Sequence, residues 1–340
     1  MRKKRPRLPR ICMSLLGLLS AISAPAAMCT DVSACIDTAT ILPLLGGRGD
    51  SPIIPVIVGP RDAAMFLTFD STSNMVWNTH DVGFPPTGGL VRFQKDDGTE
   101  LHPSQTKLEN FQIGQSGPSN IAAVLLDRAP EQSVAGRSII GVLGREAFSH
   151  GQVLLDEPHG KLAFIEISDR KACASTEQDL LGGNAQSVPL MDGGIIPSAI
   201  PVTIDHKTRL AGLDPDLTDN AVPADWIDPS HLPAETLKTA PAVQTRYLDT
   251  MVWGKRIALP DYAIGDAPGH TMMVVVEPKI LRAVLGAPFF AHRMVLFDYP
   301  NRRVLFQSID TETLPPAKHL HFDISTATNV SVRNRMGQLK

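Results

Sequence analysis

Aromatic side chains are scarce in this chain: they make up 5% of its 340 residues. The core must therefore rest on valine, isoleucine, leucine and alanine. Long apolar runs are missing too. Apart from one stretch near the N-terminus, nothing approaches the roughly 20 residues that a membrane-spanning helix needs. No Gly-x-Ser-x-Gly element is present to raise a serine nucleophile. Gly141-x-x-Gly144 has no phosphate-loop lysine beside it, which argues against nucleotide chemistry. Metal-ligand spacing is absent as well. His319-x-His321 is an isolated pair in a polar tail, so neither a metal nor a cofactor is expected.

Cysteine is rare, at four residues, and basic charge is concentrated at one end. Arg2, Lys3, Lys4, Arg5, Arg7 and Arg10 precede an apolar run from Ile11 to Ser23, and Ala24-Pro25-Ala26 follows as a small-residue cleavage site. That is the pattern of a secretory signal peptide over residues 1–26, which predicts a periplasmic or secreted protein with no stable membrane span after removal. Its loss takes six of the 32 basic residues. The remaining 26 face 35 acids, a formal charge of about −9, and no basic stripe interleaved with aromatics offsets it. Nucleic acid is thereby disfavoured as a partner. Cys12 leaves with the leader, and Cys29, Cys35 and Cys173 remain. In an oxidising compartment one disulfide is expected. Either Cys29–Cys35 closes a small loop, or one of the two ties the N-terminal segment to the Cys173 region.

What the chain does have is proline and glycine, 28 and 26 residues, which predict many short strands and turns. It also repeats itself. Ile54-Pro-Val-Ile-Val58 is echoed by Ile200-Pro-Val-Thr-Ile204. The strand leading to Asp70 in Phe66-Leu-Thr-Phe-Asp70-Ser-Thr-Ser-Asn-Met-Val-Trp77 is echoed by Leu210-Ala-Gly-Leu-Asp214-Pro-Asp-Leu-Thr-Asp219. Val142-Leu-Gly144 returns as Val284-Leu-Gly286, and the hairpin around Pro158 returns around Pro300. From the first isoleucine to the acid is 16 residues in one half and 14 in the other. From the acid to the glycine is 74 and 72, and to the hairpin proline 88 and 86. Four landmarks in one order at nearly equal offsets indicate an internal duplication. The resulting division is a lead-in over residues 27–50, a first β lobe over 51–167, a Gly-rich linker over 168–198, a second β lobe over 199–308 and a polar, mobile C-terminal tail over 309–340. Asp96-Asp-Gly98 reads as a tight hairpin turn, and Gly254 as the turn of a hairpin running from Tyr247 to Ile257.

An acid at the end of a buried strand is costly unless it is hydrogen-bonded or does chemistry. With the repeat, this resembles the aspartic peptidases, and among them the exported bacterial two-lobed retropepsin-like proteins, over residues 50 to 308. The resemblance implies an all-β, two-lobed pepsin/retropepsin-like fold. It makes Asp70 and Asp214 the two catalytic acids, with Ser71, Thr72 and Asp216 as their motif neighbours. Leu143, Gly144, Leu285 and Gly286 fall on the segments that brace the acid loops, and Leu90 to His102 falls where a flap over the substrate belongs. In that family the carboxylates share one proton and hold a water between them, one acting as base and the other donating to the substrate carbonyl. The hydroxyl residue beside the acid bonds to the opposite lobe, and a glycine follows it. Here Thr72 stands where glycine is expected, Pro215 replaces the second hydroxyl, and Asp216 puts a charge at the second glycine position. Asp214, Asp216 and Asp219 crowd one turn, and Asp214 with Asp216 also suits an Asx-type turn. Two functions follow: a monomeric exported protein that binds peptide or protein between its lobes with weak or lost catalysis, or an active aspartic endopeptidase.

Overall fold

The computed structural model describes residues 32–309 apart from Asp70 and residues 95–99, 127–130, 192–197, 229–233, 248–249, 260, 270, 278–279 and 281, and with them Pro315, Lys318, Leu320 and His321. The leader and Cys29 lie outside the described residues. Strands dominate, and the described α-helices are single short turns such as Thr176–Leu180, Ala234–Thr239 and Ala287–Phe290.

In the first lobe, Ile53–Val58 turns through Gly59-Pro60 into Arg61–Leu67, with Val58 paired to Arg61. Gly59 takes φ +56°, the left-handed conformation that so short a turn requires. Arg61–Leu67 then runs parallel to Arg137–Leu143, and Ser104–Ile113 pairs with both Ile53–Val58 and Ser119–Leu126. Met75–Trp77 lies between Ser119–Leu126 and Arg137–Leu143, which closes six strands into a barrel. The second lobe repeats the scheme. Ala199–Ile204 pairs with Lys207–Leu213, which runs parallel to Ala283–Leu285. Ala221–Pro223 runs parallel to Met272–Glu277.

A third sheet joins the lobes. Its six antiparallel strands, in order, are Ile36–Pro43, Lys161–Ile167, Gln152–Asp156, Arg293–Asp298, Arg303–Ser308 and Gln186–Pro189, with Leu154 opposite Leu296 at its centre. The few aromatics gather against it. Phe69 stacks on Phe297 at 4.2 Å between ring centroids and meets Phe148 at 5.6 Å. One apolar cluster runs from Ile54 and Leu67 in the first lobe to Leu213 and Leu285 in the second.

Both segments flanking the first lobe take part in this sheet. The lead-in supplies Ile36–Pro43, and residues 168–198, read from sequence as a linker, supply Gln186–Pro189 and the helix Thr176–Leu180. Cys35 is bonded to Cys173, with Cα atoms 5.4 Å apart, so the pairing that ties the N-terminal segment to the Cys173 region is the one formed. One turn differs from its sequence reading. Gly254 sits within the strand Thr250–Leu259, opposite Val243, and the hairpin with Ala242–Tyr247 turns after Tyr247. A Cβ on Gly254 would meet Val275 Cγ1 at 2.4 Å, so close packing rather than a turn demands the glycine. Phe93–Gln94 pairs with Glu100–Leu101, and Asp96-Asp-Gly98, read from sequence as the turn between them, falls in the undescribed tip. The tip, residues 95–99, lies outside the described residues.

Candidate functional site

Each lobe ends its central strand in a loop braced by the later glycine segment. Leu67 is paired with Leu143, and Thr68 N donates to Leu143 O at 3.1 Å. Leu213 is paired with Leu285, and Asp214 N donates to Leu285 O at 3.0 Å. Beyond these points the loops make the same bonds. Gly144 N donates to Asn74 Oδ1 at 2.9 Å, and Gly286 N to Asn220 Oδ1 at 2.9 Å. Asn74 O accepts from Val124 N and Asn220 O from Val275 N, both at 2.8 Å. The side-chain amides donate to Ala122 O and Met273 O, each at 3.1 Å. Both asparagines are buried, at 2% and 3% exposure, so each bond satisfies a group that water cannot reach.

The glycines are forced by contact. A Cβ on Gly144 would lie 2.4 Å from Ser73 O and 2.5 Å from Thr72 O. One on Gly286 would lie 2.4 Å from Asp219 O and 2.6 Å from Leu217 O. Arg145 N and Glu146 N donate to Ser71 O and Thr72 O, and Ala287 N donates to Leu217 O, so these segments do hold the turns.

These ladders also set a register. Pro55 and Pro201, then Leu67 and Leu213, then Asn74 and Asn220 all match at a constant offset of 146 residues. Asp70 falls three positions after Leu67, and three positions after Leu213 is Asp216, two residues beyond the acid chosen from sequence. Asp70 itself lies outside the described residues. The match was readable: Asp70-x-Thr72-x-Asn74-x-Val76 and Asp216-x-Thr218-x-Asn220-x-Val222 share four residues at equal spacing. It also makes the distance from the first isoleucine to the acid 16 residues in both lobes.

Asp214 Oδ1 accepts from Asp216 N at 3.1 Å, an Asx turn, though at 6% exposure Asp214 is buried and not solvated as expected of such a turn. Asp216 keeps 14% of its side-chain surface. Its Oδ1 accepts a hydrogen bond from the Ser51 hydroxyl of the first lobe. His321 Nδ1 lies 3.1 Å from both Ser51 Oγ and Asp216 O. Asp219 accepts from Arg256 at 2.6 Å and from Thr245 at 2.7 Å. The three acids of the turn thus have separate partners, which limits the repulsion expected from crowding them.

Among the described residues, the hydroxyl beside the first acid makes no bond to the opposite lobe. Ser71 Oγ donates to Ser73 O, within its own turn, at 3.3 Å. Ser198, fully buried with φ 49°, instead donates across to Phe69 O at 2.9 Å. Ser51 and Ser198 both precede first strands of their lobes, and no local pattern marks either. Among the described residues, no group of three histidine, cysteine or acidic side chains could hold a metal ion.

No family model matches the chain, and no curated protein matches its sequence. The structure does find a likeness, to the crystal structure of an aspartic proteinase from Irpex lacteus. The TM-score is 0.51 at 13% identity, with 81% of this chain and 99% of that one covered. The fold is that of the pepsin-like aspartic proteinases. At this identity the likeness concerns architecture, and chemistry must be argued from the site.

Proposed function

We propose that this protein is an exported, aspartic-peptidase-like protein that binds peptide between its two lobes and in which hydrolysis is weak or lost. The acid pair of this reading is Asp70 with Asp216, and Asp214 serves its own turn. The observation that carries it is the hydrogen bond from Ser51 to the Asp216 carboxylate. A working pair needs two carboxylates that share one proton and hold a water. A hydroxyl that donates to one of them takes up one of that carboxylate's acceptor positions and fixes its orientation. Leu217 beside Asp216 offers no hydroxyl, and Thr72 and Thr218 both stand where the family has glycine. A misplacement of about 1 Å can cost on the order of 100-fold in rate, and several such changes coincide here. The leader pattern and the acidic charge support a monomer that works outside the cytoplasm and begins near Ala27.

The second reading, an active aspartic endopeptidase, is favoured by the equal register of the two acids. One experiment separates the two. The purified mature protein is given an unfolded protein substrate across acid pH, with and without a transition-state-mimicking peptide inhibitor. The binding reading expects inhibitor binding with little cleavage, and little change in binding for Asp70→Ala. Robust cleavage, abolished by Asp70→Ala and by Asp216→Ala separately, would establish the enzyme. If Asp214→Ala abolishes cleavage while Asp216→Ala does not, the acid returns to the position first read from sequence.

A further inference from the structure

The second acid turn is not faced by the two lobes alone. Four described residues of the C-terminal segment, Pro315, Lys318, Leu320 and His321, lie against the first-lobe loop Gly46–Ser51 and reach Asp216. Arg48 N donates to Pro315 O at 2.8 Å, and Ser51 N donates to Leu320 O at 3.0 Å. Asp50 answers in the other direction. Its carboxylate accepts Lys318 N at 3.0 Å from each oxygen and Leu320 N at 3.2 Å. Asp50 is 4% exposed and is aimed by Gly47 N, which donates to it at 2.7 Å. Lys318 Nζ donates to Leu45 O at 3.1 Å. The Leu320 side chain packs on the first-lobe cluster of Ile53, Phe66, Trp77 and Val142. His321 then ends the run beside Ser51 and Asp216.

Most of these bonds go to backbone atoms of the segment, and one apolar side chain is taken up in a half-buried seat. That combination is how a site grips an extended peptide: main-chain bonds supply affinity and one pocket supplies selection. Such recognition reads a chain with free amides two residues apart and an aliphatic side chain on the second. Ser51, His321 and Asp216 do not form a serine-hydrolase relay, because one ring nitrogen, Nδ1, faces both the hydroxyl and the aspartate.

We infer that Arg48, Asp50 and Ser51 form a peptide-binding site whose resident ligand is the protein's own C-terminal segment, seated by Leu320 and covering the Asp216 turn. The site would take extended peptides of the same chemistry in place of the segment. Binding stands independently of catalysis, and only the consequence of covering Asp216 rests on that residue being the second acid.

The test uses the full chain. Leu320→Asp alters the segment and leaves the lobes intact. Amide exchange is followed at Lys318 and Leu320, and binding of a fluorescent peptide of residues 312–324 is followed by anisotropy. In the wild type both amides should exchange roughly tenfold or more slowly than in an unstructured chain, and the peptide should be excluded. In Leu320→Asp the protection should vanish and the peptide should bind. The same peptide carrying Leu320→Asp should bind at least about tenfold more weakly, the loss expected when a charge replaces a seated aliphatic group. Free exchange of both amides in the wild type would overturn the inference. So would equal binding of the two peptides. Peptide binding to Leu320→Asp without any gain in cleavage supports the inference and counts against the endopeptidase reading.

Discussion

The two lobes make the same bonds at the centre and different ones at the periphery. Asn74 and Asn220 tie their loops to a glycine amide, a strand amide and a strand carbonyl with distances that agree within 0.1 Å. The outer strands diverge. In the first lobe Ser104–Ile113 crosses the sheet unbroken, bending where its register slips between Leu108 and Phe111, with Asn110 at φ 52°. In the second lobe the corresponding path splits into Thr250–Leu259 and Tyr262–Ile264, and the latter pairs with Ala199–Ile204 while the former pairs with Met272–Glu277. Pro260 falls in the gap, and proline has no amide to give to a ladder. A bulge and a break solve one problem, turning a long strand around a small barrel. The bend can vary because it lies at the surface. The asparagine bonds cannot, because both asparagine side chains and the glycine amides they accept from are buried.

That contrast can be broken in graded steps. The largest effect is expected at the edge of the joining sheet, where Ile36–Pro43 is anchored by Cys35–Cys173 while Gln186–Pro189 on the opposite edge is held by its ladder and by Val188 in the core. Replacing both cysteines by serine should cost roughly 2–5 kcal/mol in equilibrium denaturation. A loss under about 1 kcal/mol would show that the two edges are secured equally well without it.

Asn74→Ala and Asn220→Ala come next. Each strands a buried glycine amide, at roughly 1–3 kcal/mol, while the strand carbonyl it leaves belongs to an exposed residue that water can reach. Asn74→Ala should be the more damaging, because Asn74 Nδ2 also donates to Glu146 Oε1 at 3.0 Å, a bond that Asn220 has no counterpart for among those described. Equal losses by urea titration would mean that Glu146 adds nothing and that the lobes are equivalent at this point.

The smallest effect belongs to an ornament of the first lobe. Asp81 is held below the ordinary carboxylate pKa of 3.8, chiefly by the hydrogen bond with His80 and then by that from Ser138. A carboxyl depressed on folding stabilises the native state above its unfolded pKa and loses that contribution as the pH falls through its folded value. Asp81→Asn should therefore narrow the difference in melting temperature between pH 5 and pH 3, slightly, since the group is exposed. A wider gap in the variant would contradict this sign.

The architecture was legible in the sequence because the repeated landmarks sit on buried strands and tight turns, where local chemistry and fold agree. Ile54-Pro-Val and Ile200-Pro-Val, the two Leu-Gly segments and the two hairpin prolines kept their places. The acid turn was harder. Asp214 follows Leu213 as a strand-end acid should and also accepts in an Asx turn, and the proposal of Asp216 rests on the register of the asparagines, whose glycine partners lie about 70 positions away. Ser51, Ser198 and His321 carry no local signal, because their meaning is set by groups 105 to 270 residues distant. Gly254 misled for another reason. Glycine marks both turns and close approaches, and sequence alone does not separate them.

The bond between Cys35 and Cys173 spans 138 positions and encloses the whole first lobe in a covalent ring. A protease that nicks any one exposed loop between them leaves the fragments joined. Such a molecule migrates as one chain until it is reduced, and an environment that attacks loops can scar this lobe without dispersing it.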